Sequence, residues 1–184
     1  MKFIKRFIIF IFKIFAYMMY DKKYLKGRWF EGTTKEGWFF VLRNVVWQKI
    51  FRINGKVPFP VSHKITIGDY KNLEFHPDDL NNFQGFGVYY QNYDAKIIIG
   101  KGSYIAPNVG LITSNHDIND LDNHIPGQDI ILGEKCWIGM NSVILPGTVL
   151  GDNTIVAAGA VVTKSFEEGN YVIAGVPAKV IKRL

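Results

Sequence analysis

The most constraining feature of this chain is an aliphatic residue that recurs every six positions between residues 132 and 162. The members of this series are Leu132, Ile138, Ile144, Leu150, Val156 and Val162. Small residues follow four positions after the first five of them, at Cys136, Ser142, Thr148, Thr154 and Ala160. A six-residue period is typical of a parallel β-helix, in which three hexads complete one triangular coil. We therefore expect the aliphatic side chains to point to the axis and stack on their equivalents in the next coil.

The period is broken once. Upstream, the same six-residue step occurs at Ile99, Ile105 and Leu111, but this series is out of phase with the one that begins at Leu132. The segment between the two series is polar, rich in turn-forming residues and without periodicity. We expect residues 115–131 to form a loop that leaves the helix. Loops on a rigid scaffold are where binding and catalytic residues concentrate, so this loop is the leading candidate for a site.

Composition limits the class of protein. The 184 residues are 48% hydrophobic, which is enough for one domain with a core. Cys136 is the single cysteine, so an internal disulfide is excluded and a reducing compartment is compatible. We interpret it as a small corner residue rather than a reactive thiol. The formal charge of +6 is concentrated in residues 1–28, and no basic stripe or nucleic-acid motif follows, so we expect no nucleic acid partner.

The first 60 residues are predicted to form an α-helical extension, and residues 61–184 the β-helix domain. Residues 2–20 combine a basic face with Ile and Phe, while the uninterrupted apolar run 7–12 is far short of the ~20 residues that span a bilayer. This pattern predicts an interfacial amphipathic helix. Two interpretations stay open: residues 1–24 bind an anionic membrane face, or the helix packs in a subunit interface or against the β-helix. Apolar residues at helical spacing predict a second helix over 35–53.

Four histidines are candidates for chemistry: His63, His76, His116 and His124. His116 differs from the others because it lies where the coil meets the predicted loop, between Asn115 and Asp117. A neutral imidazole, with an ordinary pKa near ~6.5, can accept a hydroxyl proton, and an adjacent carboxylate can fix its tautomer. The histidine spacing does not fit a metal site, and no nucleophile elbow is present. We therefore expect a general base without a metal.

Several segments resemble the hexapeptide-repeat acyltransferases. They are Ile105–Val109, Thr113–Asp117, Cys136–Gly139, Ile144–Gly147, Ala158–Lys164 and Ala174–Ile181. Within that superfamily the chain looks most like the sugar and polysaccharide O-acetyltransferases of capsule and O-antigen biosynthesis. The resemblance covers about residues 85–184, and its motifs are specific.

The resemblance implies a left-handed parallel β-helix and a homotrimer with acetyl-CoA in the groove between neighbouring subunits. It places the catalytic histidine on His116, with Asp117 beside it, for direct transfer to a sugar hydroxyl without an acetyl-enzyme. The residues that it implies for acetyl-CoA are Trp137, Gly139, Met140, Ala158, Thr163, Lys164, Lys179 and Lys182. Gln91 lies where small-sugar acetyltransferases carry an acceptor-binding asparagine; with Asn92 and Asn115 it completes the expected acceptor set.

We therefore expect a cytoplasmic acetyl-CoA-dependent O-acetyltransferase, peripheral on the inner face of the cell membrane, acting on a sugar of a cell-envelope glycan that is free or lipid-linked. The alternatives are a xenobiotic, antibiotic or amino-sugar N-acetyltransferase on the same scaffold. A further alternative is a β-helix assembly protein without catalytic activity. For Trp137 and the small residues, a purely structural role in the β-helix is also open.

Overall fold

The computed structural model describes residues 2–33 and 35–184, with side chains from residue 10 onward. Helix α1 spans Lys2–Met19, and a short 3-10 helix spans Lys22–Tyr24. Helix α2 spans Glu36–Val45 and continues as one π-helical turn, Val46–Ile50, so the predicted second helix is confirmed over most of its length. The basic face predicted for Lys2, Lys5 and Arg6 lies outside the described side chains.

The two helices pack on each other and on the first coil. Trp38 of α2 makes edge contacts with Phe12 and Tyr17 of α1, at centroid distances of 6.2 and 6.0 Å. Ala16 and Tyr20 are buried in the same apolar core that runs through the β-helix. Within the described part of the chain, no helix is both long and apolar enough to cross a bilayer. The division at residue 60 stays a prediction.

Sixteen short strands follow in the described residues. They are β1 Thr66–Ile67, β2 Leu73–Phe75, β3 Tyr89–Gln91, β4 Ile97–Ile99, β5 Tyr104–Ile105, β6 Gly110–Ile112, β7 His116–Asp117, β8 Asp120–His124, β9 Ile130–Leu132, β10 Trp137–Ile138, β11 Val143–Ile144, β12 Val149–Leu150, β13 Ile155–Val156, β14 Val161–Val162, β15 Tyr171–Ala174 and β16 Lys179–Arg183. Strands β7 and β8 form a hairpin of their own.

The remaining strands form three sheets, which are the faces of a triangular prism. Face A has the order β1-β3-β6-β11-β14, face B the order β12-β9-β4-β2, and face C the order β16-β15-β13-β10-β5. All pairs in these sheets are parallel except β15 with β16. From β3 to β14, apart from the β7–β8 hairpin, the chain visits A, B and C in turn, so that each strand pairs with the strand one coil later. The left-handed parallel β-helix predicted from the sequence is confirmed.

The six-residue register determines the core. All six aliphatic residues from Leu132 to Val162 are at most 1% exposed. Ile138 pairs with Val156 and Ile144 with Val162, so one regular coil takes 18 residues. The five small residues are also buried, and the hydroxyls of Ser142, Thr148 and Thr154 each donate to the carbonyl three residues earlier at 2.7 Å. Each of these buried corner hydroxyls therefore has a hydrogen-bond partner within the chain.

Each corner also uses a left-handed residue, again at a step of six. The residues are Lys135, Asn141, Gly147, Asn153 and Gly159, with φ between 54° and 75°. Gly and Asn adopt this conformation at least cost, which explains why they fill four of the five places.

The coil that contains the predicted loop is longer. Ile99 pairs with Leu132, 33 positions later, so this coil carries 15 more residues than a regular one. The excess lies between β6 on face A and β9 on face B. We call this corner of the prism the His116 edge; its successive turns are residues 68–72, 92–96, 113–129, 145–148 and 163–165. The side of the prism opposite to it is face C.

Candidate active site

The 15 extra residues form the β7–β8 hairpin on the His116 edge. His116 pairs with His124 in antiparallel register, and Asp117 pairs with Asp120. At its base, the Ile125 amide donates to the Asn115 carbonyl at 3.0 Å and the Gln128 amide donates to the Thr113 carbonyl at 2.8 Å. Backbone bonds between its two arms thus close the base of the hairpin where it leaves the coil.

His116 is exposed, and its ring is held by two contacts. The Nδ1 atom lies 2.7 Å from the Leu121 carbonyl oxygen. A carbonyl only accepts, so this geometry places the proton of the neutral ring on Nδ1 and leaves Nε2 as the free base. The ring also lies against that of His124, with centroids 4.1 Å apart and planes at 36°. The arrangement can accept a proton at Nε2 from a bound hydroxyl.

Asp117 does not orient the histidine. Its carboxylate accepts from the Asn119 amide at 2.8 Å and closes the hairpin turn. The expectation that Asp117 fixes the tautomer is therefore wrong for this structure, since the carbonyl of Leu121 occupies Nδ1 instead. Local Asx turns of this kind are a common use of Asp in short loops. The contact of His116 with the Leu121 carbonyl could not be predicted from the sequence, because it depends on the geometry of the hairpin.

Gln91 holds the segment that leads to His116. Its Oε1 accepts from the amides of Thr113 and Ser114, at 2.9 and 3.1 Å, and from the Thr113 hydroxyl at 3.2 Å. Its Nε2 donates to the hydroxyl and carbonyl oxygens of Ser114, at 2.9 and 3.3 Å. The amide group is thus used within the chain, where it holds the Thr113–Ser114 segment in place, and an acceptor contact of Gln91 stays a prediction.

Asn92 is also internal. Its side chain is 0% exposed, with Oδ1 accepting from the amides of Gly68 and Asp69 and Nδ2 donating to the Asp69 carbonyl at 2.7 Å. A fully buried side chain offers no surface to an acceptor, so the predicted substrate contact is wrong for the single chain. Asn115, in contrast, is exposed beside His116, where an acceptor contact stays a prediction.

A second group of predicted residues lies away from His116. Trp137 projects from face C, 55% exposed, stacked between Tyr104 of the preceding coil and Ile155 of the next. Gly139 follows at the corner from face C to face A, where a Cβ would lie 2.6 Å from the Ala158 nitrogen and the Val156 oxygen. The two coils approach so closely there that the fold alone requires glycine.

The other residues predicted for acetyl-CoA divide between these two places. Met140 and Ala158 are exposed on neighbouring coils at the corner from face C to face A. Thr163 and Lys164 are exposed on the His116 edge, two coils beyond the hairpin. Lys179 and Lys182 are exposed on β16 of face C, beside β15. One chain thus presents the predicted site as two separate halves.

The other candidate groups, Cys136, His63 and His76, take part in packing or hydrogen bonding within the chain. Cys136 is 1% exposed, and burial raises the pKa of its thiol, which keeps it protonated and confirms its interpretation as a corner residue. His63 stacks on Trp47 at 4.4 Å, and the His76 Nδ1 accepts from the Asp78 amide at 3.1 Å. Among the residues that the structure describes, no group of three His, Cys, Asp or Glu is arranged to hold a metal ion.

Comparison with known proteins gives matches to the same segments. Residues 129–164 match the family described as "Bacterial transferase hexapeptide (six repeats)". The chain is 35% identical over 105 residues to a galactoside O-acetyltransferase of Escherichia coli K12, covering 52% of this chain and 51% of that one. It is 33% identical over 133 residues to the "Putative colanic acid biosynthesis acetyltransferase WcaF" of the same organism, covering 72% and 65%.

A solved galactoside acetyltransferase in complex with coenzyme A is similar in structure, with a TM-score of 0.55 and 29% identity over 65% of this chain and 58% of that one. The chain covers less than two thirds of the length of each of these three proteins. The family match, residues 129–164, lies in the coils that carry the six-residue register. Residues 129–164 thus carry the repeat of the bacterial hexapeptide transferases, and sugar O-acetyltransferases are among the proteins to which this chain is similar.

Proposed function

We propose that this protein transfers the acetyl group of acetyl-CoA to a hydroxyl of a cell-envelope glycan, with His116 as general base. The observation that carries the proposal is the Nδ1 contact of His116 with the Leu121 carbonyl at 2.7 Å, which leaves Nε2 free to accept a proton. The similarity to sugar O-acetyltransferases supports the reaction class, and the coenzyme A complex of one structural relative supports the donor.

The proposed step needs no covalent intermediate. Nε2 of His116 takes the proton of the sugar hydroxyl while its oxygen attacks the thioester carbon. The tetrahedral intermediate collapses, the carbon–sulfur bond breaks, and the imidazolium returns the proton to the departing thiolate. The buried, protonated Cys136 thiol supports direct transfer, because it is unsuited to carry the acetyl group.

We further propose that the site is completed by a second copy of the chain, within a homotrimer. His116 lies on one edge of the prism, and Trp137 lies on the face opposite to that edge. A neighbour that places its face C against this edge unites the two halves with acetyl-CoA between them. The hairpin supports such a contact, since Ile118 and Leu121 are 91% and 70% exposed at its tip. Exposed apolar side chains of this kind favour a protein partner.

The catalytic proposal is tested by His116→Ala, assayed for thiol release from acetyl-CoA with a panel of glycans. We expect the rate of acetyl transfer to fall by about 10² to 10⁴, the usual contribution of a general base, while coenzyme A still binds. The matched control is His63→Ala, which removes an imidazole that stacks on Trp47 far from the hairpin. Full activity of the His116 variant contradicts the mechanism, and no thiol release with any acceptor contradicts the enzyme class.

Peripheral membrane attachment is a separate proposal, and the surface of α2 supports it. Phe39, Leu42, Val46 and Ile50 are spaced along one side of α2 and its π-helical turn, and each is at least 43% exposed. The helical region also carries basic residues, namely Lys13, Lys22, Lys23, Lys26, Arg28 and Arg43. Apolar area beside positive charge is the combination that binds an anionic bilayer surface.

The membrane proposal is tested by sedimentation with vesicles that contain anionic lipid. Deletion of residues 1–24 also removes Ala16, Tyr20 and Tyr24 from the core, so substitution of exposed residues is the sharper experiment. Phe39→Gln with Ile50→Gln should reduce the sedimented fraction severalfold. Phe86→Gln, a change at an exposed aromatic residue outside the helices, is the control. Equal sedimentation of all three proteins contradicts the proposal.

A further inference from the structure

A cavity of about 640 Å³ lies where the helical region meets the first coil. One wall is the segment after α2, with Arg52 and Lys56, and the other is the turn after β1, with Tyr70 and Lys71. Tyr93, from the turn one coil later, closes one side and is 54% exposed. The lining is therefore three cations and two tyrosines around an open concave surface.

The lining of this cavity carries a net positive charge. In the part of the chain that the structure describes, Arg52, Lys56 and Lys71 have no carboxylate within 4.0 Å. Asp69 is the acidic group in the lining, and its Oδ1 already accepts from the Lys71 amide at 2.9 Å. Lys49 lies behind the wall, 3.4 Å from the Gly55 carbonyl, and adds a further positive charge. Such a lining favours an anionic ligand.

The wall that carries Arg52 is held in a fixed shape. The Asn54 side chain donates to the carbonyls of Ser62 and Ile65, at 3.3 and 2.8 Å, and so ties this segment to the first coil. Across the cavity, Asn72 donates to the carbonyls of Asn92 and Tyr93, at 3.1 and 3.0 Å, which joins the two turns that form the opposite wall. The backbone segments that carry the cations are thus held in place by hydrogen bonds within the chain.

The cavity and His116 share one edge of the prism. The lining turns, residues 68–72 and 92–96, are the first two turns of the His116 edge, and the segment that begins at Thr113 is the third. Neighbouring strands lie about 4.7–4.9 Å apart, so the cavity turn is two steps, about 10 Å, from the base of the hairpin. The exposed Tyr93 lies between them, and an aromatic ring is a suitable surface for a sugar.

We propose that this cavity binds a phosphate or diphosphate group of the acceptor, ahead of the sugar whose hydroxyl His116 deprotonates. The inference rests on the proposed function and names the acceptor class, a glycan unit attached through phosphate. Lys and Arg are the usual ligands of such groups. The phosphates of coenzyme A are a second source of the same chemistry, but the residues predicted for that ligand lie elsewhere. Thr163 and Lys164 lie three turns further along the edge than Tyr93, and Lys179 and Lys182 lie on face C.

The test is calorimetric titration of the full chain with inorganic pyrophosphate, with and without excess coenzyme A. We expect binding by the unmodified chain, weakening of at least tenfold in Lys56→Gln with Lys71→Gln, and no displacement by coenzyme A. The matched control is Lys135→Gln, which removes an exposed lysine from a turn between faces B and C. Thermal melting of each variant verifies that the fold is intact.

Three outcomes overturn the proposal: no binding by the unmodified chain, equal binding by the double variant, or displacement by coenzyme A, which assigns the phosphate site to the donor. The His116→Ala variant separates this proposal from the catalytic one. It should bind pyrophosphate like the unmodified chain, so failure of the anion site and failure of acetyl transfer are read in different experiments.

Discussion

The coils after residue 130 and the coils before it are built on different principles. After residue 130 one coil takes 18 residues, with Leu132 above Leu150 and Ile138 above Val156. Before it, partners lie further apart: 23 positions from Ile67 to Tyr90, 24 from Leu73 to Ile97 and 33 from Ile99 to Leu132. The extra residues form turns that carry the hairpin and the basic cavity. The regular half forms a uniform buried stack, and the irregular half carries His116 and the cavity, for which we propose catalysis and anion binding.

The largest difference between the two halves is expected in stability. Ile144→Ala removes a 0% exposed side chain between Leu111 and Val162 and should lower the free energy of unfolding by about 2–5 kcal/mol. Denaturant titration measures the change. Ile53→Ala, at a 40% exposed residue in the segment between α2 and the first coil, is the control and should shift stability by no more than about 0.5 kcal/mol. Similar losses in both variants would contradict the comparison.

A smaller but coupled effect is expected at Gln91. Gln91→Leu leaves the amides of Thr113 and Ser114 without their acceptor, at a cost of about 1–3 kcal/mol, and frees the segment before His116. The proposed acetyl transfer should slow as the stability falls, because the Gln91 amide group orders the segment that leads to His116. Gln91→Glu keeps the acceptor oxygens and should retain more activity than the leucine variant. Equal activity of the two variants would rule out a positioning role.

A pH-dependent effect is expected at Asp79, in the irregular half. Burial raises the pKa of this carboxyl above its ordinary value, while the Gly102 amide and then Arg28 oppose the shift. A carboxyl whose pKa is higher in the folded than in the unfolded protein lowers the stability as the pH rises from the unfolded pKa to the folded pKa. This loss of stability persists at neutral pH. Asp79→Asn should therefore be more stable than the unmodified chain at pH 7, with a smaller gain near pH 4. Melting curves at several pH values measure it, and a larger gain at low pH would show the opposite sign.

The smallest effect on unfolding is expected at the hairpin tip. Ile118→Ser with Leu121→Ser should change the stability of the single chain by less than about 0.5 kcal/mol, because both side chains lie in solvent. If the hairpin contacts a second copy, the same change should lower the trimer fraction in sedimentation and acetyl transfer in parallel. An unchanged oligomer with unchanged activity would remove the hairpin from the proposed interface.

The same contrast explains what the sequence predicts and what it does not. The register from Leu132 to Val162 predicts the buried stack, because each coil repeats the geometry of the last one. The break after Leu111 locates the hairpin but not its contacts. The bond between His116 and the Leu121 carbonyl, and the use of Gln91 within the chain, depend on turn geometry and on partners that are distant in sequence. Neither set of contacts recurs at a fixed spacing along the chain, so neither can be predicted from the periodicity of the sequence.

The last strand of the chain has a consequence for growth of the stack. A parallel β-helix ends in a row of open backbone groups, on which the first coil of another molecule could add as a further coil. Strand β16 runs antiparallel along β15, with a register shift between Val172 and Ile173, and its Lys179, Lys182 and Arg183 are exposed. Charged, irregular edge strands oppose end-to-end pairing. On face C, β16 therefore opposes the addition of a further coil, whereas the proposed catalytic interface lies on the sides of the prism.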